Sequence, residues 1–147
     1  MMLIRPVQEE DFNEWLPLWV GYQEFYQVAI PEDVTMRTWE RFLDPHEPMH
    51  CEVAVQGEQL VGMVHYIFHR SCWTKGDYCY LQDLYVPSEM RGHGVARALI
   101  ERVYAQATAA GSSRVWWLTH ESNETAIALY DRIADKSGFI QYRKLLA

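Results

Sequence analysis

The run Arg-Gly-His-Gly at residues 91–94 has residue types and spacing that suit anion binding. It follows an apolar run, residues 81–86, that predicts a strand, and it precedes a predicted amphipathic helix that begins at Val95. The glycines leave the backbone bare where the first helical N–H groups have no intrahelical acceptor, and the helix dipole adds about half a positive charge there. Arg91 can add a full charge from the side. These residues predict a phosphate site, and the alternative is that the two glycines only form a turn.

The spacing of this loop excludes the two commonest phosphate-binding motifs. A dinucleotide fingerprint requires a small residue three positions after the second glycine, where this chain has Arg97, and no Gly-Lys-Ser/Thr triplet of a P-loop follows. What remains is an Arg-x-x-Gly-x-Ala pattern between a strand and a helix. This pattern resembles the pyrophosphate-binding signature of the GNAT superfamily of N-acetyltransferases. The resemblance implies that six consecutive residues bind the pyrophosphate of acetyl-CoA: Arg91, Gly92, His93, Gly94, Val95 and Ala96.

The resemblance covers most of the chain, in order. Residues 66–68 and 80–86 resemble central strands of the polyamine and thialysine acetyltransferase branch. Downstream, Asn123, Ala126 and Tyr130 match the family's Asn-x-x-Ala-x-x-x-Tyr pattern. An ordered match of this extent is more specific than any single motif.

The resemblance also implies how the rest of the donor is held. Leu84, Tyr85 and Val86 would pair like a strand with the pantetheine arm, and a bulge is the usual device that splays a strand for such pairing. The backbone N–H of Tyr85 would stabilise the oxyanion of a tetrahedral intermediate. Asn123 would bind the pantetheine region from the opposite side.

Two proton transfers complete the predicted reaction. We expect Tyr130 to be the acid, because a phenol keeps its proton at neutral pH and can give it to sulfur as the C–S bond breaks. Its alternative role is a buried aromatic on the core face of a helix. The amine must lose a proton, and the candidates for the base are Asp83, Glu121 or a chain of waters.

Residues 82 and 83 bear on both the base and the acceptor. Strand alternation allows only one of Gln82 and Asp83 to face the substrate. Polyamine acetyltransferases carry Glu-Asp at this point, whereas this chain has Gln-Asp. Because of this difference, the resemblance is weaker evidence that this chain prefers a polyamine as its acceptor.

Composition and charge limit the class of protein. The 147 residues, 49% hydrophobic and 22% charged, predict one globular domain over residues 1–147. No apolar run is long enough to cross a bilayer and the N-terminus lacks signal-peptide architecture, so we expect a cytoplasmic protein without a membrane partner. The net charge of −7 disfavours nucleic acid and would attract a cationic amine, although negative charge also serves solubility.

The sequence does not indicate a metal site. The three cysteines are odd in number and form no C-x-x-C pair. His65 and His69 stand four apart, which would suit a metal on a helix, but on a strand they only share a face. We therefore expect neither a metal nor a disulfide framework.

The predicted strands and helices must position these candidate site residues. Strands are predicted over residues 3–5, 51–55, 60–69, 81–86, 114–119 and 139–144. Helices are predicted over residues 9–27, 35–43, 95 to near 111, and 124–134. This order predicts an α/β fold with a mixed central sheet and helices on both faces, in keeping with the fold that the resemblance implies.

The predicted activity is transfer of the acetyl group of acetyl-CoA to the primary amine of a small molecule, polyamine-like or amino-acid-like. A close variant would acetylate a protein or peptide lysine, but a short chain without a docking extension favours a small acceptor. The alternative from another class is a CoA-binding sensor without turnover, against which Tyr130 argues, since a pure binder needs no phenol. Family members are commonly dimers, so the resemblance also implies a homodimer.

Overall fold

The structure is a computed structural model that describes residues 2–146, and it divides into two compact units, Met1–Trp117 and Leu118–Ala147. The first unit contains a sheet and three helices. Its elements, in chain order, are β1 (Met2–Pro6), α1 (Phe12–Phe25), α2 (Glu32–Leu43), β2 (Met49–Gln56), β3 (Gln59–His69), β4 (Tyr78–Tyr85), α3 (Val95–Ala109) and β5 (Val115–Trp116). Within the described residues, the second unit contains one helix, α4 (Glu124–Ile133). The prediction of a single domain over residues 1–147 stays a prediction.

The five strands form one mixed sheet in the order β1-β2-β3-β4-β5. The first four strands pair antiparallel, and β5 lies parallel to β4. A tight turn joins β2 to β3, with Gln56 opposite Gln59 and Gly57 at a φ of 65°. A positive φ at this turn favours glycine. The predicted mixed α/β sheet is thus confirmed.

Helices cover both faces of this sheet within the first unit. Met63 on β3 is fully buried in the aromatic cluster that α1 and α2 supply, together with Trp15 and Trp39. The next residue towards the hairpin, Gly62, faces α3 instead, since a β-carbon there would lie 2.9 Å from Val95 Cγ1. Alternation along β3 therefore assigns one face to α1 and α2 and the other to α3.

The predicted last strand, residues 139–144, is wrong. No sheet ladder includes this segment in the part of the chain that the structure describes, and Phe139, Ile140 and Tyr142 are 82%, 76% and 89% exposed. Aromatic and branched residues favour a strand only where a neighbour pairs with their N–H and C=O groups, and here the local pattern has no such neighbour.

Other boundaries differ from the predictions as well: α1 spans Phe12–Phe25 rather than residues 9–27, β2 spans Met49–Gln56 rather than residues 51–55, and β4 spans Tyr78–Tyr85 rather than residues 81–86. The strand predicted over residues 114–119 is reduced to the two residues of β5. Helix α2 begins at Glu32 rather than at residue 35, because Pro31 supplies an extended N-cap directly before two acidic first-turn residues. Helix α4 ends at Ile133, one residue before the predicted end. Among residues 2–146, no helix is both long and apolar enough to cross a membrane.

Candidate active site

The start of α3 has the geometry of an anion site. Gly94 is the N-cap residue and has a left-handed backbone with a φ of 78°, and Gly92 has a φ of 82°. No side chain caps the first turn, and a β-carbon added at either glycine would meet nothing within 4 Å. The first-turn amides of Val95 and Ala96 therefore lie beside open space, as an approaching diphosphate requires. These residues fit the pyrophosphate group of coenzyme A.

The side chain of Arg91 joins this loop to two other elements. Its Nε donates a hydrogen bond to the carbonyl oxygen of Val86 at 3.1 Å, and its guanidinium lies 5.7 Å from the ring centroid of Phe25 at the end of α1. The positive charge thus stays at the loop, where it favours an anion. The same contact fixes the loop to the residue that follows β4.

A register shift in β4 explains how Asp83 reaches the protein interior. His65 of β3 pairs with Asp83 but the next residue, Tyr66, pairs with Leu81, so that Gln82 is the extra, bulged residue. Gln82 is exposed and Asp83 is only 8% exposed. Asp83 therefore faces the interior and Gln82 faces solvent, while which of the two faces the substrate stays a prediction.

Strands β4 and β5 pair over only two positions among the described residues. Their ladder contains only the pairs of Cys79 with Val115 and Tyr80 with Trp116. Beyond Tyr80, β4 continues to Tyr85 without a β5 partner among the described residues. This geometry suits the predicted pairing of the pantetheine arm with Leu84, Tyr85 and Val86, which stays a prediction.

Glycines bring Tyr85 into close contact with α1. A β-carbon at Gly21, inside α1, would lie 2.7 Å from the hydroxyl oxygen of Tyr85. A glycine within a helix costs about 1 kcal/mol relative to alanine, and the close approach of this ring explains its use here. On the opposite face, a β-carbon at Gly62 would lie 3.4 Å from the Tyr85 carbonyl oxygen. The ring of Tyr85 therefore packs against α1, and its backbone carbonyl lies close to β3.

Asp83 lies in a buried hydrogen-bonded cluster. Its Oδ2 is 2.9 Å from Nδ1 of His65, and the Nε1 of Trp15 donates to His65 Nε2 at 3.1 Å. Burial raises the pKa of Tyr22 well above its usual value, and the nearby Asp83 carboxylate raises that pKa further. Burial and Asp83 also raise the pKa of Tyr80. Both phenols therefore keep their protons beside this carboxylate.

Sequence reasoning considered His65 only as a possible metal ligand and missed its contact with Asp83. Both ring nitrogens of His69 are also engaged, Nε2 accepting from Trp116 at 2.9 Å and Nδ1 lying 2.8 Å from the carbonyl oxygen of Arg70. Residues 2–146 contain no group of three or more His, Cys, Asp or Glu side chains arranged to hold a metal ion.

The other predicted site residues belong to the second unit. Asn123 is the N-cap residue of α4, and its side chain makes no capping hydrogen bond. Tyr130 lies seven residues further along this helix, nearly two turns, so the two positions share one side of α4. Glu121 lies in the turn that precedes the helix. The roles of Asn123, Tyr130 and Glu121 stay predictions.

The fold and the open helix start are compatible with an acyltransferase that uses a CoA thioester, and comparison with known proteins gives the family. The acetyltransferase (GNAT) family matches residues 10–134. D-amino-acid N-acetyltransferase HPA3 of Saccharomyces cerevisiae is 32% identical over 145 residues, which cover 97% of this chain and 90% of that protein. Thialysine N-epsilon-acetyltransferase of Mus musculus is 31% identical over 157 residues, with 95% and 90% covered. The chain belongs to the acetyltransferase (GNAT) family and is an acetyl-CoA-dependent enzyme.

Solved structures confirm the fold. AAC(6′)-Iy in complex with the bisubstrate analogue CoA-S-monomethyl-acetylneamine has a TM-score of 0.85 at 19% identity, with 99% of each chain covered. Ribosomal-protein-alanine N-acetyltransferase from Brucella melitensis has a TM-score of 0.79 at 23% identity, covering 99% of this chain and 100% of that one.

Substitution of Gly94 by alanine tests the predicted diphosphate site. The new β-carbon would occupy space beside the first-turn amides, and the loss of one or two charge-assisted hydrogen bonds weakens acetyl-CoA binding by about 10- to 100-fold. The matched control is Gly57→Ala, because Gly57 also has a positive φ, 65°, and open space around its Cα. Both variants therefore carry a similar backbone strain, and only the first lies in the loop. Titration calorimetry that gave both variants the same affinity for acetyl-CoA would contradict the assignment.

Proposed function

We propose that this enzyme acetylates the primary amine of a small molecule, polyamine-like or amino-acid-like. The observation that carries the proposal is the uncapped start of α3, with Gly92 and Gly94 in left-handed conformations, beside the unpaired end of β4. The acceptor class is supported by relatives named for D-amino acids and thialysine, which this chain matches over nearly its whole length. The net charge of −7 further favours a cationic acceptor.

In the proposed reaction, the amine attacks the thioester directly. Asp83 takes a proton from the ammonium group, the free amine forms a bond to the acetyl carbon, and the Tyr85 N–H stabilises the resulting oxyanion. Collapse of this intermediate breaks the C–S bond, and Tyr130 gives its proton to the departing thiolate. The nitrogen then loses its second proton to solvent and leaves as a neutral amide.

Different observations support Asp83 as the base and Tyr130 as the acid. Asp83 is buried, lies on the face of the sheet that α1 covers, and is two residues from Tyr85. Glu121 and a chain of waters are the other candidates for the base. Tyr130 is supported by its place in the family pattern seven residues after Asn123.

A thiol-release assay tests the function. The enzyme is incubated with acetyl-CoA and a panel of D-amino acids, thialysine, diamines, aminoglycosides and lysine-containing peptides, and free CoA is measured. We expect turnover with small amines that exceeds turnover with the peptides. Faster reaction with the peptides would favour a protein lysine acetyltransferase. Tight acetyl-CoA binding without turnover of any amine would favour a CoA-binding sensor.

We further propose a homodimer in the cytoplasm. Exposed apolar side chains near the C-terminus could be covered by a second copy: Phe139, Ile140, Tyr142, Leu145 and Leu146. All three cysteines are free, which suits a reducing compartment. Light scattering coupled to size-exclusion chromatography tests the dimer, and a monomeric mass at micromolar concentration would contradict it.

A further inference from the structure

A chain of hydrogen bonds runs from α1 through β3 to β4 and ends at Asp83, the proposed base. The indole Nε1 of Trp15 donates to His65 Nε2 at 3.1 Å, and His65 Nδ1 lies 2.9 Å from Asp83 Oδ2. The three residues are 0%, 3% and 8% exposed, respectively. The phenol of Tyr22 lies near Asp83, whose carboxylate helps to raise the pKa of that phenol. The indole nitrogen of Trp15 and both ring nitrogens of His65 therefore have hydrogen-bond partners inside the protein.

The indole fixes the tautomer of His65. An indole N–H can only donate, so Nε2 of His65 must present its lone pair to Trp15. The proton of the neutral ring is therefore on Nδ1 and points at Asp83. A second proton on Nε2 would set two N–H groups against each other at 3.1 Å. It would also bury a charge among the rings of Trp19 and Phe42, whose centroids lie 5.1 and 4.6 Å from that of His65.

The side-chain groups beside Asp83 are consequently neutral. His65 donates to it as a neutral imidazole, and the nearby Tyr22 is a phenol whose pKa is raised by burial. Within residues 2–146, the ion pairs formed by arginine use other carboxylates, Asp11, Glu40, Glu47, Asp77, Glu101 and Glu52. A buried carboxylate without a cationic partner is costly, and a cation that docks beside it removes that cost.

We propose that Trp15 and His65 are positioning residues that hold Asp83 as an anionic carboxylate for a protonated amine, so that the acceptor's own ammonium group is the missing cationic partner. This inference rests on the proposed function and narrows its substrate class to amines that arrive protonated. His65 orients Asp83 through Nδ1–H and takes no part in proton transfer, because its other nitrogen is occupied by Trp15.

The tautomer gives a test that does not depend on turnover. In uniformly ¹⁵N-labelled enzyme, long-range ¹H–¹⁵N correlation distinguishes a protonated ring nitrogen from one with a free lone pair. We expect His65, assigned by the loss of its signals in His65→Asn, to carry its proton on Nδ1. In Trp15→Phe, which keeps an aromatic ring but lacks the N–H, the Nε2 tautomer should become populated. A wild-type His65 protonated on Nε2 would overturn the assignment.

Kinetics test the consequence for the acceptor. We expect His65→Leu, which removes the donor to Asp83, to lower kcat/KM for an alkylamine such as n-butylamine by about 100-fold, the usual effect of displacing a reacting group. His65→Asn, which can still donate from a similar position, should recover at least about a tenth of the wild-type value, while the Kd for acetyl-CoA stays unchanged in both. Equal losses in the two folded variants would overturn the positioning role.

A comparison of amines separates this inference from the proposed function. The wild-type enzyme should prefer n-butylamine, which is protonated at pH 7.5, to aniline, which is neutral there. Preference for aniline would overturn the inference and leave acetyl transfer intact. Absence of turnover with every amine would overturn the proposed function, while the position of the His65 proton would still decide the tautomer.

Discussion

Replacement of Asp83 by asparagine is expected to lower kcat/KM for a cationic amine by about 100- to 10,000-fold, the range typical for loss of a general base. The amide is nearly isosteric, and its oxygen can still accept from His65 Nδ1, so the fold should persist. The asparagine amide cannot take a proton from the ammonium group, and it cannot compensate the positive charge of that group. Acetyl-CoA binding should be unchanged, since Asp83 lies outside the diphosphate loop.

The matched control for this variant is Asp77→Asn, which changes a carboxylate next to the start of β4. Asp77 pairs with Arg70 at 3.2 Å, and the arginine side chain is 91% exposed, so this surface pair contributes little to stability. If Asp83→Asn kept the activity of the control while Glu121→Gln lost it, Glu121 would be the base. If neither substitution lowered activity, a chain of waters would take the role.

Substitution of Tyr130 by phenylalanine is the second change with a large expected effect. Removal of the phenol leaves the thiolate without its proton donor, and we expect kcat to fall by about 100- to 10,000-fold. The Kd for acetyl-CoA should change little, because the ring itself is kept. The measurement is thiol release at saturating acetyl-CoA and amine.

Tyr142→Phe is the control for this second prediction. Tyr142 belongs to the same unit and is 89% exposed, so loss of its hydroxyl should leave kcat as it is. Equal rates for the Tyr130 variant and the wild type would remove Tyr130 from catalysis. Equal rates would instead support the alternative role of Tyr130 as a packing residue of α4.

Local sequence patterns predicted the backbone at both ends of α3 well. The left-handed glycines, the start of α3 at Val95 and the left-handed Gly111 after its end all depend on neighbours within a few residues. Backbone conformations of this kind are dictated by the presence or absence of a β-carbon. A sequence shows this directly.

The acceptor side could not be predicted in the same way. Contact between His65 and Asp83 depends on the bulge at Gln82, and a shift of one residue would turn Asp83 to the other face of the sheet. Trp15 reaches His65 only because α1 packs over β3, fifty positions away in the chain. No local pattern encodes such a register or such a distant contact.

The prediction of a strand over residues 139–144 was wrong for a related reason. Residues 139–144 have strong strand propensity, yet strand formation depends on a partner that the segment itself does not specify. The close approach of Tyr85 to Gly21 could not be predicted either, because a glycine inside a helix does not indicate which ring lies over it.

A crystal structure of the enzyme with coenzyme A tests the donor site most directly. We expect the diphosphate oxygens within hydrogen-bonding distance of backbone N–H groups between Gly92 and Ala96, with the pantetheine arm running along Leu84, Tyr85 and Val86. A diphosphate bound anywhere other than the start of α3 would contradict the proposed site and the reaction built upon it.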